Sequence, residues 1–377
     1  MNYKEYKKRI LVTGGAGFIG SHVVRLLCNK YSEYLIVVFD KLTYAGNLQN
    51  LEDLHNHKNY VFYKGDIVNE NDIKYVFDNF YITDIIHLAA ESHVDRSILN
   101  PKEFVDTNVI GTFNLLNISL NYWKDNLQNH RFHHVSTDEV YGSLKLNEDT
   151  QFTENTKYDP HSPYSASKAA SDHFVKAYHD TYDLNITISN CSNNYGPNQF
   201  PEKLIPLVIN NLKEDKEIPV YGTGDNVRDW LYVEDHAKAI DLIFHKGISG
   251  ETYNIGGMHE VSNIDIINTI IKVFAHEMQL IHIKNGTRYF TNPEPMWIKK
   301  YKENIKFIED RKGHDKRYAI NCSKLINELG WKPEETFETG ITKTVKWYLD
   351  NNDWIDNVTS GEYKKWIYDN YNNRDKI

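Results

Sequence analysis

Arg9-Ile-Leu-Val-Thr13-Gly14-Gly15-Ala16-Gly17-Phe18-Ile19-Gly20 is the stretch that decides the fold of this chain. Its first five residues read as a short buried strand, and the glycines at 14, 17 and 20 then open an amphipathic helix that runs to about Asn29. Glycines in such a turn let the backbone approach a pyrophosphate, while the helix start offers unpaired N–H groups and positive dipole. The spacing is Gly-x-x-Gly-x-x-Gly rather than Gly-x-Gly-x-x-Gly, so the pattern needs support from elsewhere. Support comes from Tyr34-Leu-Ile-Val-Val-Phe-Asp40, a second strand that ends in an acid placed to accept hydrogen bonds from the adenosine ribose hydroxyls. Asp40 repels a 2′-phosphate and so favours NAD over NADP, a preference that the adjoining Lys41 weakens slightly.

Two further runs carry chemistry. In Tyr164-Ser-Ala-Ser-Lys168, Tyr and Lys stand four residues apart on one helical face, where the ammonium lowers the phenol's pKa and suits it to remove a hydroxyl proton during hydride transfer. In Ser136-Thr137-Asp138-Glu139-Val140-Tyr141-Gly142, two adjacent carboxylates add a second task. One protonated carboxyl expels a leaving group and one ionised carboxylate takes a proton. Oxidation combined with elimination is the chemistry of a sugar dehydratase.

Strand and helix alternate along the first half in the manner of a parallel sheet covered on both faces. The expected strands are 9–13, 34–40, 60–65, 84–89, 131–136 and 185–191, and the expected helices lie near 17–29, 69–80, 101–125 and 163–182. The fold class is therefore α/β, a Rossmann-like doubly wound parallel sheet with a smaller, interleaved α/β substrate domain. Residues 1–195 are expected to form the NAD-binding domain and 196–377 mainly the substrate domain, with segments near 228–258 that resemble family segments returning to the first.

At 377 residues, 40% hydrophobic and 25% charged, the composition is that of an ordinary soluble globular protein. The net charge of −9 argues against a general nucleic-acid binder. No apolar run approaches a membrane span and the charged amino terminus lacks the apolar stretch of a signal peptide, so a cytoplasmic location without membrane attachment is expected. Cys28, Cys191 and Cys322 are widely separated and read as reduced, buried thiols. The 17 histidines form no HExxH motif, so no metal is expected.

The chain resembles the nucleotide-sugar 4,6-dehydratases of the extended short-chain dehydrogenase/reductase superfamily, most closely those that act on dTDP-glucose. The resemblance spans nearly the whole chain. Besides the glycine turn and the two runs above, it is carried by His87-Leu-Ala-Ala-Glu-Ser-His-Val-Asp-Arg-Ser97, Cys191-Ser-Asn-Asn-Tyr-Gly-Pro197, Phe200-Pro-Glu-Lys-Leu-Ile-Pro206, Arg228-Asp-Trp-Leu-Tyr-Val-Glu-Asp235 and Asp310-Arg-Lys-Gly-His-Asp-Lys-Arg-Tyr318. The glycine turn and Tyr-x-x-x-Lys are superfamily features, whereas Thr-Asp-Glu before Val-Tyr-Gly is narrower because related epimerases lack it.

That resemblance implies roles residue by residue. Phe18 and Ile19 lie over the pyrophosphate, Asp40, Lys41, Leu42 and Thr43 surround the adenosine ribose, and Asp66 and Ile67 meet the adenine. Leu88, Ala89, Ala90 and Ser92 follow the fourth strand along the cofactor, with Thr107 and Asn194 nearby. On the sugar-nucleotide side the matching positions are Ser92, Thr137, Asn193, Lys203, Leu204, Pro219, Val220, Tyr221, Arg228, Asn263, Asp310, Arg311 and His314. Lys203 and Arg228 make physical sense as diphosphate clamps, Arg by its bidentate fork. The implied substrate is dTDP-glucose or UDP-glucose. A homodimer is implied as well, paired through the helices near 101–125 and 163–182 with Phe113, Leu116, Ala169, Phe174 and Val175 as apolar contacts. The implied cycle has Tyr164 and Lys168 remove the 4-hydroxyl proton with Thr137 on the same oxygen, Glu139 take the C5 proton and Asp138 protonate the C6 hydroxyl.

Two positions depart from the family pattern. Asn190 stands where most relatives carry Arg, and Asn198 stands where an aromatic residue usually follows Gly-Pro. Gly196-Pro-Asn-Gln-Phe200 is more like the enzymes acting on UDP-glucose, so the base is expected to be read near Asn198. The stretch 288–303 looks like an inserted surface loop. A 4-epimerase, which has no work for Asp138 and Glu139, a simple NAD-dependent dehydrogenase that releases NADH, and a non-catalytic nucleotide-binding protein remain the alternatives.

Overall fold

The computed structural model describes residues 3–287, 289, 292–310 and 314–359. The apolar runs of the first half form β1 (Lys8–Thr13), β2 (Tyr34–Asp40), β3 (Tyr60–Lys64), β4 (Asp84–His87), β5 (Phe132–Thr137) and β6 (Ile186–Cys191). Short strands follow: β7 (Asn193–Tyr195), β8 (Ile218–Tyr221), β9 (Val227–Tyr232), β10 (Thr252–Ile255), β11 (Glu260–Ser262), β12 (Ile305–Ile308) and β13 (Arg317–Tyr318).

Seven strands join one sheet in the order β10-β6-β5-β4-β1-β2-β3, and every pairing in it is parallel. A parallel sheet needs cover on both faces, and the strand sequences meet that need. Ile10 and Val12 of β1 point into one apolar layer with Val23, Ala237 and Ile240, while Leu11 between them points into the other with Ile85, Leu115 and Val175. The helices Phe18–Lys30 and Val233–Lys246 cover the first face; Glu70–Phe80, Thr112–Trp123 and Pro163–Tyr182 cover the second. β1 sits between β2 and β4, where the strand order reverses. Ligands of doubly wound sheets bind at that switch point, beyond the carboxyl ends of the strands. This is the Rossmann-like α/β architecture that the sequence pattern predicts.

The single helix expected over 101–125 is instead broken. Val94–Leu99 and Pro101–Phe104 are separate short helices, Val105–Gly111 is a π-helical turn, and only Thr112–Trp123 is regular. The cause is tertiary. Asn108 accepts from the Glu91 amide at 2.8 Å and donates to the Glu91 carbonyl at 2.9 Å, which clamps the loop after β4 onto the wide turn.

β9 pairs with β11, β13 and β7, and β8 pairs with β12. Helices Leu204–Lys213, Asn263–Lys284 and Phe337–Asp350 pack over these strands around a second core built on Ile209, Ile270, Phe274, Ile341 and Tyr348. The stretch expected to be an inserted loop contains a helix, Glu294–Glu303, whose Ile298 and Tyr301 pack on this core; residues 288, 290 and 291 of that stretch lie outside the described residues. The apolar contacts expected at a dimer face also divide. Leu116, Ala169 and Val175 are buried within the protein, and Phe113 packs half-buried against the core, so only Phe174, 40% exposed, is open to a partner. Among the described residues, no helix is long and apolar enough to cross a membrane.

Candidate active site

The glycine turn leaves β1 with Gly14 at φ +70°, and its local geometry admits nothing larger than hydrogen. A Cβ on Gly14 would meet the Ala89 amide nitrogen at 2.7 Å, and one on Gly20 would meet the Gly14 carbonyl at 2.1 Å. Backbone therefore lies bare at the carboxyl end of β1, in front of the amino terminus of the helix Phe18–Lys30. At the end of β2, Asp40 is buried and accepts from the Ala16 and Leu42 amides at 3.0 and 2.8 Å. Each of its oxygens keeps a lone pair for a further donor.

A cavity of about 320 Å³ opens beyond these strand ends. It is lined on one side by Gly14, Gly17, Phe18, Ile19, Gly20, Asp40, Lys41, Thr43, Asp66 and Ile67, and along its floor by Leu88, Ala89, Ala90, Ser92 and Thr107. At its far end stand Thr137, Asp138, Glu139, Tyr164, Lys168, Asn193, Asn194 and Lys203. Lys41 pairs with Asp66 at 2.7 Å. Leu42 is the exception among the expected cofactor residues: it adopts φ +56° and packs against the sheet's helical face rather than lining the cavity, because the tight turn after Asp40 points its side chain away.

A second cavity, about 180 Å³, shares Ser92, Glu139, Asn193, Glu202 and Lys203 with the first and is otherwise lined by Leu204, Pro219, Val220, Tyr221, Arg228, Asn263 and His314, among others. Arg228 is buried, stacked 4.2 Å over the Tyr318 ring, and donates to the carbonyls of Val227, Lys316 and Asp315. Lys203 caps the helix Leu204–Lys213 and reaches the Ser92 carbonyl at 3.4 Å. Asp310 lines neither cavity but holds His314 Nδ1 at 2.6 Å; Arg311 lies outside the described residues.

Asp138 and Glu139 form a short 3₁₀ turn directly off β5, with Thr137 as its cap. The Thr137 hydroxyl donates to Asp138 Oδ1 at 3.4 Å and accepts from the Glu139 amide at 3.3 Å. Burial, and then the nearby Glu139, pushes the Asp138 carboxyl well above its ordinary range, which favours its protonated form beside a second acid. Tyr164 and Lys168 lie on the helix Pro163–Tyr182, whose start is fixed by Pro163 and a capping box between Ser162 and Ser165. Lys168 Nζ donates to the Val135 carbonyl at 2.9 Å. Burial and then Glu139 push the Tyr164 phenol up, against the lowering expected from Lys168, with a hydrogen bond to Thr137 acting the other way. Burial lowers Lys168, and the carboxylate of Asp172 opposes that. Asp172 in turn accepts from Ser136 at 2.8 Å and Tyr158 at 2.9 Å. Asn190, one of the two departures, is fully buried and donates to the hydroxyls of Tyr141 and Tyr158 at 2.9 and 3.3 Å.

Several lining residues were not anticipated. Tyr44 lies 3.7 Å beneath the Arg96 guanidinium, which also pairs with buried Glu202 at 3.2 Å. Glu202 and Phe200 belong to the same run as Lys203, so the motif held a signal for them; Tyr44 reaches the site by loop placement and had none. Asn198, the other departure, lines neither cavity. It is buried and donates to Asn50 at 3.2 Å, which corrects the expectation that the base is read there. Among the described residues, no three His, Cys, Asp or Glu side chains converge as metal ligands.

The family described as GDP-mannose 4,6 dehydratase matches residues 11–344. A dTDP-glucose 4,6-dehydratase of Salmonella typhimurium is 49% identical, over 97% of this chain and 99% of that protein. The crystal structure of dTDP-glucose 4,6-dehydratase from Bacillus anthracis in complex with NAD is 43% identical with a TM-score of 0.79, covering 93% of this chain and 99% of that one. A dTDP-glucose 4,6-dehydratase from Streptomyces venezuelae, solved with NAD bound, is 39% identical at the same TM-score and the same coverage of both chains.

Proposed function

The chain belongs to the GDP-mannose 4,6-dehydratase family, and from that premise we propose that it converts dTDP-glucose to dTDP-4-keto-6-deoxyglucose and water. The observation that carries this reading is the buried Asp138, its carboxyl pushed upwards by burial, next to Glu139 in the cavity that also holds Tyr164 and Lys168. An epimerase needs the second pair alone; elimination of water needs the first as well.

Bound NAD would supply the acceptor for the C4 hydride and the donor that restores it at C6, so no net redox would occur. The bare glycine turn and Asp40 fit its pyrophosphate and adenosine ribose, and Asp66, Ile67, Leu88 and Thr107 fit the remainder of its length. Tyr164 accepts the proton of the 4-hydroxyl, supported by the Lys168 ammonium, while Thr137 holds the same oxygen. The resulting C4 ketone makes the C5 hydrogen acidic. Glu139 takes that proton, Asp138 gives its own to the C6 hydroxyl, which departs as water, and as the hydride is restored at C6 the proton held by Glu139 goes back to C5. Contributions of this kind are each worth roughly 10²–10⁴ in rate. Arg228 and Lys203 hold the diphosphate in the second cavity, with Asn193 between sugar and nucleotide.

The domain division at about residue 195, with the strand at 252–255 returned to the first sheet, supports a substrate bound between the two halves. Exposed Ile98, Leu99, Val105, Ile110 and Phe174, on packed neighbouring helices, support a homodimer. Three buried free thiols suit the reducing cytoplasm.

Mass analysis of the products after incubation with dTDP-glucose and UDP-glucose, side by side, tests the reading. Loss of one water from dTDP-glucose without accumulation of NADH is expected. A product of unchanged mass points to epimerisation and overturns the assignment, and dehydration of UDP-glucose in preference overturns the choice of nucleotide.

A further inference from the structure

Ala16, within the glycine turn, is held through both of its backbone polar atoms. Its amide donates to Asp40 at 3.0 Å. Its carbonyl accepts from the Asn47 amide at 3.0 Å and from Asn50 Nδ2 at 2.9 Å. Asn50 is 2% exposed, so its other amide atom also requires a partner. Asn50 Oδ1 accepts from Trp354 Nε1 at 2.7 Å and from Asn198 Nδ2 at 3.2 Å. Both donors belong to the second half of the chain. Trp354 lies on the helix Asn352–Val358 and packs edge-on against Trp347 and Tyr348 in the second core.

One carboxamide thus bonds the cofactor turn on one side and the C-terminal described helix on the other, in a place water does not reach. A buried amide of this kind fixes both neighbours, since undocking the helix leaves Asn50 Oδ1 short of a donor and frees the amide to rotate off Ala16. We propose that Asn50 is a positioning residue through which docking of the helix Asn352–Val358 holds the glycine turn in its cofactor-binding shape, so that NAD is retained between turnovers. The inference rests on the NAD reading above. Coupling between sites is reciprocal, so bound NAD also protects that helix from opening.

The test uses the full chain. Trp354→Phe removes the indole N–H, and Asn50→Ala removes the hub. Trp347→Phe disturbs the same aromatic packing but leaves the hydrogen bond to Asn50 in place. Release of bound NAD is followed by exchange against isotopically labelled NAD, with thermal unfolding measured alongside. Trp354→Phe and Asn50→Ala are expected to release NAD at least about tenfold faster than the parent, and Trp347→Phe at the parental rate. Parental release from Trp354→Phe, or equal acceleration in Trp347→Phe, overturns the proposal. Should the variants fail to fold, hydrogen exchange on the parent replaces them: added NAD is expected to slow exchange in 352–358, and unchanged exchange overturns the proposal. A parent protein that binds no NAD at all overturns the cofactor reading with it, whereas retained NAD with unaltered release overturns the proposal alone.

Discussion

Asp138 is acidic by composition and suited by position to donate a proton, because burial at 1% exposure next to Glu139 raises its carboxyl above the range of an exposed one. Asp138→Asn and Glu139→Gln are accordingly expected to slow water loss by roughly 10²–10⁴ while leaving the first oxidation largely intact. Single-turnover absorbance in the NADH band reads the two steps separately, and equal loss of NADH formation in both variants contradicts the division of labour. Tyr164→Phe is expected to do the reverse: NAD still binds, since only the hydroxyl is removed, and NADH formation falls by a comparable factor of roughly 10²–10⁴. These four side chains were legible in the sequence because each pair is local, one on a single turn and one on a single helical face. Tyr44 and Asn50 enter the picture through tertiary placement of loops, which no local spacing encodes. Asp172 carries a different prediction. Burial raises its carboxyl from 3.8 to about 6. A raised acid stabilises the fold below its ordinary value, and that contribution drains away as pH climbs to about 6. Asp172→Asn lacks this dependence, so its stability relative to the parent is expected to rise by about 1–2 kcal/mol between about pH 5 and about pH 8. Urea unfolding across that range checks it, and parallel curves for the two proteins contradict it.

Among the elements, those defined by continuous apolar runs were readable and those defined by a partner were not. β2 is buried at all seven positions and could be little else than a central strand. The π turn at Val105–Gly111 is set by the bonds between Asn108 and Glu91, and from the sequence its residues join smoothly to the helix that follows. That turn also changes which side chains face outwards, leaving Val105 and Ile110 48% and 43% exposed, on the surface that holds Phe174. Phe174→Glu and Ile110→Asp are expected to shift the protein from dimer to monomer at micromolar concentration while preserving its helical content, with sedimentation velocity as the measurement. A parent protein that sediments only as a monomer contradicts the pairing.

Across the whole molecule, Asn198 illustrates how a motif comparison misplaces a residue that sits at a junction. Its neighbours in sequence line the cofactor cavity, but φ +66° turns Asn198 itself inwards to Asn50. Asn198→Tyr is therefore expected to cost about 1–3 kcal/mol through overpacking and to leave the ratio of kcat/KM for dTDP-glucose and UDP-glucose unchanged. A shifted ratio without loss of stability would restore the sequence-based expectation. The order of the large sheet has a consequence for how the chain is made. β6 is its penultimate strand, and its outer neighbour β10 consists of residues 252–255. Until the ribosome has released that segment, β6 presents an unpaired, fully buried-type edge to solvent, at synthesis speeds of about 5–20 residues per second. The nascent chain therefore passes through an interval in which its NAD-binding half is nearly complete yet sticky, and chains terminated before residue 255 are expected to aggregate or recruit chaperones rather than accumulate as a free-standing Rossmann unit.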